Sequence, residues 1–323
     1  METILTPEAK KFIEEWNSPT PYVTARTSGS TGTPKEIRLL KTDMRASAKA
    51  TINFFGLHSR SWLHLPLSPD YIAGKMQIVR ALESGATLTV EDATNRPLSG
   101  LSLNTGRRIS LLPVVPSQVC GVLSSGFTDR IDNMIIGGAP LAPADEQRII
   151  DSGIPSFATY GMTETCSHVA LRRLGSECFS ALPGFRFSAD PRGCLVINSE
   201  TMSFGQLDTN DIVELDSPQA FRWRGRFDNV INSGGLKISP EEIEKKIAHL
   251  FPDGTNFYIT SRRSERWGEE AVLVTDLREP ADNLMNLIET EVGHLRAPKA
   301  LIFDPDIQRT SSKKIIRRKF QAS

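Results

Sequence analysis

The chain has 323 residues, of which 39% are hydrophobic and 24% charged, an ordinary globular composition with enough length for one large domain and a smaller one. Thirty-eight Lys and Arg balance 38 Asp and Glu, so the net charge is zero and general nucleic-acid binding through a basic excess is excluded. No apolar run approaches the ~20 residues of a bilayer span, and the start lacks the basic-then-apolar pattern of a signal peptide. A cytoplasmic protein is therefore expected. Cys120, Cys166, Cys178 and Cys194 form no CxxC pair or zinc spacing and read as free thiols.

The opening METILTPEAKKFIEEWN predicts an amphipathic helix. Strand-like runs and helical spacing then alternate: strand 22–26, helix 42–55, strand 62–66, helix 72–84, strand 86–90, strand 109–112, helix 116–123, strand 133–136, helix 144–152 and strand 156–160. Such alternation predicts βα units and a largely parallel sheet. Past about Gly184 short strands take over, at 193–197, 211–215 and 221–224. A separate α+β unit follows, with helix 240–250, strands 256–260 and 270–275, and helix 283–292. The expected fold is α/β: a large N-terminal domain, 1–227, with a mostly parallel sheet, helices and a β-rich subdomain. A small mobile α+β domain, 228–323, completes it.

The strongest motif is Thr27-Ser-Gly-Ser-Thr-Gly-Thr-Pro-Lys35. Its glycines permit close backbone approach to an anion. Ser28, Ser30, Thr31 and Thr33 offer hydroxyl donors and Lys35 a point charge, which together suit phosphate. It is not a Walker A loop, because Lys35 follows Thr-Pro rather than Gly; the bland alternative is a polar surface turn. The second motif, Tyr160-Gly-Met-Thr-Glu-Thr165, follows a strand, where α/β folds bind ligands. Thr163 can donate to phosphate, and Glu164 is an oxygen ligand suited to Mg²⁺. Alone, this string also fits a capping turn.

Together these strings resemble the acyl-adenylate-forming superfamily, which includes acyl-CoA synthetases, luciferases and adenylation domains. The resemblance runs from about Thr24 to Arg318 and implies binding of ATP and Mg²⁺. Thr27, Gly138, Tyr160 and Gly161 would then lie at the nucleotide. Leu207-Asp-Thr-Asn-Asp-Ile-Val213 is similar to a family segment in which Asp211 holds the ribose hydroxyls, and Arg226 in Gly225-Arg-Phe-Asp-Asn229 would reach the same ribose. The resemblance makes Asp228 a hinge and puts Gly234, Gly235 and Lys237 on the path of coenzyme A. It makes Lys314, in Arg309-Thr-Ser-Ser-Lys-Lys-Ile-Ile-Arg317, the catalytic lysine, with Thr163 and Glu164 also catalytic. Lys313 stands where the family usually has Gly.

Only 26 residues precede the phosphate loop, so most of the family's usual first subdomain is expected to be absent. This reduced plan, with Leu65-Pro-Leu-Ser, Ile72-Ala-Gly-Lys-Met-Gln-Ile-Val-Arg80 and Met162-Thr-Glu-Thr-Cys-Ser-His-Val-Ala-Leu-Arg-Arg173, resembles the o-succinylbenzoate–CoA ligases of menaquinone biosynthesis. Their acid carries a second carboxylate, which calls for a cation, best a bidentate Arg. Arg80 is the first candidate for that contact, with His168 and Arg172 weaker and Tyr71 placed near the acyl group. The partners implied are a small carboxylic acid, ATP and coenzyme A, with no nucleic acid and no membrane span; a homodimer is compatible with the sequence. Three other readings stay open: another aryl- or acyl-CoA ligase, an adenylation domain loading a carrier protein, and a non-catalytic nucleotide-binding protein.

Overall fold

The computed structural model describes residues 5–26, 36–101, 106–310 and 315–320. Helix α1 (Pro7–Asn17) begins where the Thr6 hydroxyl accepts from Ala9 N at 3.3 Å, with Pro7 at the first helical position. Its buried residues Ala9, Phe12 and Trp16 lie on one face at helical spacing. Antiparallel β1 (Tyr22–Arg26) and β2 (Glu36–Leu40) flank 27–35, so the phosphate-loop residues Thr27, Ser28, Ser30, Thr31, Thr33 and Lys35 lie outside the described residues.

The next stretch gives α2 (Lys41–Phe55), β3 (Trp62–Leu65), α3 (Ile72–Ser84), β4 (Thr87–Val90), β5 (Leu112–Val114), α4 (Val119–Leu123), β6 (Met134–Ile136), α5 (Pro143–Asp151) and β7 (Ser156–Gly161). Strands β3 and β4 pair in parallel, as do β5, β6 and β7. A parallel bridge between Leu63 and Leu111 joins the two groups. Helix α3 packs against α1, α2 and the sheet, which buries every residue from Gly74 to Ala81, Lys75, Gln77 and Arg80 included. A helix buried on all sides shows only weak amphipathic periodicity, yet its span is the one expected.

The β-rich part follows as β8 (His168–Arg173), β9 (Cys178–Ala181), β10 (Phe185–Ala189), β11 (Cys194–Ser199), β12 (Gln206–Ser217) and β13 (Ala220–Arg226). These continue the sheet antiparallel beyond β7, giving nine strands in the order β10-β11-β12-β13-β9-β8-β7-β6-β5. Two large core clusters fill this region, one spreading from α1 to β13 and the other around α4, β5 and β6.

The remaining elements are β14 (Ile231–Ser233), β15 (Leu236–Ile238), α6 (Pro240–Ile247), β16 (Phe257–Ser264), β17 (Gly268–Thr275), α7 (Leu284–Val292) and β18 (Leu301–Phe303). They build a second sheet, β15-β14-β17-β16 with β18 on β17. Its core, Ile231, Ile238, Ile243, Ile247, Ile259, Leu273 and Ile288 among others, draws only on residues from 231 onward. At the junction the Ser239 hydroxyl donates to Arg224 O at 2.7 Å, and Lys245–Glu177 and Arg148–Asp253 ion pairs lie at 2.6 and 2.5 Å. All four cysteines are free.

Candidate active site

The loop after β7 turns back sharply. A Cβ on Gly161 would lie 2.2 Å from Ser167 O, so only glycine lets the strand end pass under the returning chain. The buried Thr165 hydroxyl knits the turn: it accepts from Met162 N at 3.0 Å and lies 2.6 Å from Ser167 O. Cys166 is held at φ 61°, a left-handed conformation uncommon outside glycine, and burial pushes its thiol up to about 12. The tight inner side leaves Thr163 half-buried and Glu164 exposed, with no ion pair to Glu164 among the described residues. With no ion pair among the described residues, Glu164 could offer a hard oxygen to a Mg²⁺ that shares phosphate oxygens. Gly138 is exposed in the turn after β6, a neighbouring strand of the same sheet.

Tyr160 and Asp211 lie on β7 and β12, four strand spacings apart in the sheet. In a flat sheet that is about 19 Å, yet the Tyr160 hydroxyl donates to Asp211 Oδ2 at 2.7 Å. The sheet therefore curls, and aromatic rings fill its concave side: Tyr160 to Phe221 at 5.0 Å, Phe221 to Phe187 at 4.9 Å and Phe179 to Phe221 at 5.4 Å. Trp223 Nε1 donates to the other oxygen, Asp211 Oδ1, at 3.0 Å. Arg226 Nη1 stands 3.7 Å from Oδ1, facing Asp211 across the β12–β13 hairpin. Burial, then the Asp211 charge, drives the Tyr160 phenol far above its ordinary pKa, so it stays a donor. Among the described residues each carboxylate oxygen has one hydrogen-bond donor and keeps acceptor capacity, which suits a pair of adjacent hydroxyls.

Asp228 is exposed in the turn after β13, accepting from Arg226 Nη2 at 2.9 Å and from Asn210 Nδ2 at 3.3 Å. Gly234, Gly235 and Lys237 sit at the exposed β14–β15 turn, and Gly234, at φ +59°, lies flat against the Trp267 ring, where a Cβ would approach to 2.5 Å. Lys313 and Lys314 lie outside the described residues.

Arg80 is not on the surface, where a lone helix arginine would ordinarily sit. It is 1% exposed, donating from Nη2 to Ser167 Oγ at 2.6 Å and facing Gln77 Oε1 at 3.4 Å, with no partner for Nε among the described residues. No carboxylate pairs with it among the described residues. Burial pushes its guanidinium down to about 9, still far above neutrality, so the group stays charged. His168 is buried beside it; burial and then the Arg80 charge hold it well below the ordinary histidine pKa, hence neutral. Its Nδ1 lies 3.2 Å from Ser167 Oγ and its Nε2 3.1 Å from Thr51 Oγ1. Arg172, by contrast, is taken up by Glu146 in a two-pronged ion pair at 2.7 and 3.0 Å. Tyr71 is half exposed at the start of α3, nine residues from Arg80 and so about 13 Å away along the axis.

The structure thus brings Tyr160, Asp211 and Arg226 together, and Arg80 with His168, while Tyr71 stands apart. Trp223, Ser167, Thr51 and Gln77 were missed by sequence reasoning. Only Trp223 had a signal: a hairpin turning at Pro218-Gln219 places residue 226 opposite 211, which brings 223 into the same neighbourhood.

Residues 6–189 match the family model described as AMP-binding enzyme, and the chain belongs to that family. It is 26% identical to the indoleacetate–CoA ligase of Aromatoleum aromaticum over 92% of this chain and 66% of that one. It is 24% identical to the 2-succinylbenzoate–CoA ligase of Bacillus cereus over 99% of this chain and 74% of that one. The chain thus spans about two thirds to three quarters of the length of these curated relatives. A solved acyl-CoA synthetase (AMP-forming)/AMP-acid ligase II-like protein from Dyadobacter fermentans superposes with a TM-score of 0.66 at 35% identity, covering 98% of this chain and 95% of that one. Family and relatives support an acid–thiol ligase of the acyl-CoA synthetase class.

Proposed function

We propose that the chain adenylates a dicarboxylic acid of the 2-succinylbenzoate type with ATP and transfers the acyl group to coenzyme A, forming o-succinylbenzoyl-CoA. The observation that carries the choice of acid is the buried Arg80, which has no carboxylate partner among the described residues. A charge taken out of water costs several kcal/mol unless something pairs with it, and the second carboxylate of a diacid is a matching partner. A monocarboxylic acid such as indoleacetate leaves the guanidinium unpaired.

In this reading one carboxylate attacks the α-phosphorus of ATP and pyrophosphate leaves. Asp211, oriented by Tyr160 and Trp223, accepts from the ribose hydroxyls, with Arg226 beside it. The 27–35 loop holds the phosphates, and Lys314 contacts the reacting carboxylate and α-phosphate. Glu164, with Thr163 next to it, would hold Mg²⁺, which supplies charge neutralisation on the phosphates. The unit from 228 onward then turns about Asp228, and the coenzyme A thiol, entering past Gly234, Gly235 and Lys237, attacks the acyl-adenylate with release of AMP.

The test is AMP release with Mg-ATP and coenzyme A, comparing o-succinylbenzoate with indoleacetate, benzoate, acetate and a medium-chain fatty acid. Turnover with the diacid supports the assignment; turnover with a monoacid alone discards it and keeps the adenylation chemistry. Arg80→Ala should raise the diacid KM at least tenfold and leave the ATP KM within about twofold, since a lost charged hydrogen bond is worth about 1.5–3 kcal/mol. An unchanged diacid KM removes Arg80 from the acid site.

A further inference from the structure

We propose that Ser167, His168 and Thr51 form a one-way hydrogen-bond chain that positions the Arg80 guanidinium for the second carboxylate of the acid. The proposal rests on the reading of Arg80 above. Donor chemistry fixes its first bond, and the direction of the rest is part of the proposal. A guanidinium only donates, so Ser167 Oγ accepts from Arg80 Nη2 at 2.6 Å and its own proton turns toward His168 Nδ1, 3.2 Å away. Nδ1 then accepts, and the proton of the neutral ring sits on Nε2. That N–H donates to Thr51 Oγ1 at 3.1 Å, and the Thr51 hydroxyl donates onward to Ser47 O at 3.3 Å, one turn back in α2. Every proton in the chain points away from the cation.

Gln77 fixes the other side. Its Nε2 lies 3.0 Å from Leu111 O and 3.4 Å from His64 O, so two carbonyls hold the amide with Oε1 toward Arg80 Nη1. Gln77 and Thr51 are fully buried and His168 is 5% exposed, so water is kept from the Gln77 and Thr51 ends of the network, while Ser167 is half-buried. A buried arginine of purely structural purpose is ordinarily matched by a carboxylate. Among the described residues every hydrogen-bonding partner is neutral and Nε has none. Such a cradle holds the guanidinium without neutralising it, which leaves its charge for a ligand. His168 is thereby a positioning residue with both ring nitrogens engaged, not a direct contact to the acid.

Thr51→Val tests this best: it keeps the side-chain shape, removes the hydroxyl and acts two links from Arg80. Ser167→Ala removes the first link. Both are compared with Arg80→Ala and Thr51→Ser, measuring KM and kcat for o-succinylbenzoate, a one-carboxylate analogue and ATP, together with thermal unfolding. Thr51→Val should raise the diacid KM about threefold to tenfold, the scale of one buried hydrogen bond, with little change for the analogue or ATP. Thr51→Ser should restore it. In an Arg80→Ala background Thr51→Val should have no further effect on diacid KM. A diacid KM unchanged by both Thr51→Val and Ser167→Ala, where Arg80→Ala still loses diacid preference, overturns the chain alone. Equal losses for diacid, analogue and ATP with a lowered unfolding temperature assign these residues to stability only. If Arg80→Ala keeps the diacid preference, the reading of Arg80 itself falls.

Discussion

Asp211 shows how a single side chain is prepared for one geometry. A carboxylate on a strand has several rotamers, and holding one of them before the ligand arrives reduces what binding must order. Tyr160 and Trp223 do this from opposite sides, one donor to each oxygen. Replacing Trp223 with Phe keeps a ring in place and removes one donor. The ATP KM should then rise at least about threefold to tenfold, the scale of one hydrogen bond. 2′-Deoxy-ATP, which lacks one of the hydroxyls, should suffer less. Tyr160→Phe should behave alike, and an equal loss for both nucleotides would assign the pair to packing instead of ribose binding. Asp211 and Arg226 were legible as candidate residues because their motifs lie in linear order. Trp223 belongs to no motif, and its relation to Asp211 is a matter of strand register that only the hairpin turn at Pro218-Gln219 signals.

At the scale of elements, the helices were legible nearly to the residue where chemistry marks their ends. The expected helix 72–84 matches α3, which stops at Gly85 in a left-handed C-cap. Strands with turn signals at both ends were also found, β7 and β17 among them. The strands missed are of a different kind. Strands β9, β14, β15 and β18 have three or four residues each, too few to display alternation, and β8 is buried along His168–Leu171 without alternating; the five-residue β2 and β10 were missed as well, although β10 alternates in burial over Phe185–Phe187. The curl that brings β7 toward β12 has no linear signature. The β14–β15 turn gives an element-scale prediction. Gly234→Ala forces an L-residue into φ +59° and pushes a Cβ against the Trp267 ring, a strain of about 1–2 kcal/mol or more. If this turn lines the coenzyme A path, thioester formation from supplied acyl-adenylate should fall about tenfold with pyrophosphate exchange nearly intact. Equal loss of both steps would make the turn a folding element only.

For the whole molecule, the two halves of the reading depend on how the nucleotide motifs are distributed. The strands flanking 27–35 belong to the N-terminal unit, whereas the ends of the lysine segment are rooted in the C-terminal one. Arg309 bridges Ile315, and Ile316 N donates to Gln308 O at 2.8 Å. Arg317 binds Glu244 of α6, and the Thr260 hydroxyl of β16 donates to Arg318 O at 2.9 Å. Any movement of the second unit therefore carries both ends of the lysine segment with it. The ion pairs between the units, Lys245–Glu177 and Arg148–Asp253, have all four side chains more than half exposed, a setting in which each contributes about 0–1 kcal/mol. Neither is strong enough to lock one arrangement. A lysine delivered for adenylation and withdrawn for thioester formation is compatible with ion pairs this weak. Lys314→Ala should then nearly abolish adenylation, read as pyrophosphate exchange, while thioester formation from supplied acyl-adenylate stays within about threefold of the parent, as expected for a group that acts in one transition state and not the other. Loss of both steps to the same degree would mean that one fixed arrangement serves both, and the hinge at Asp228 would have no part in the reaction.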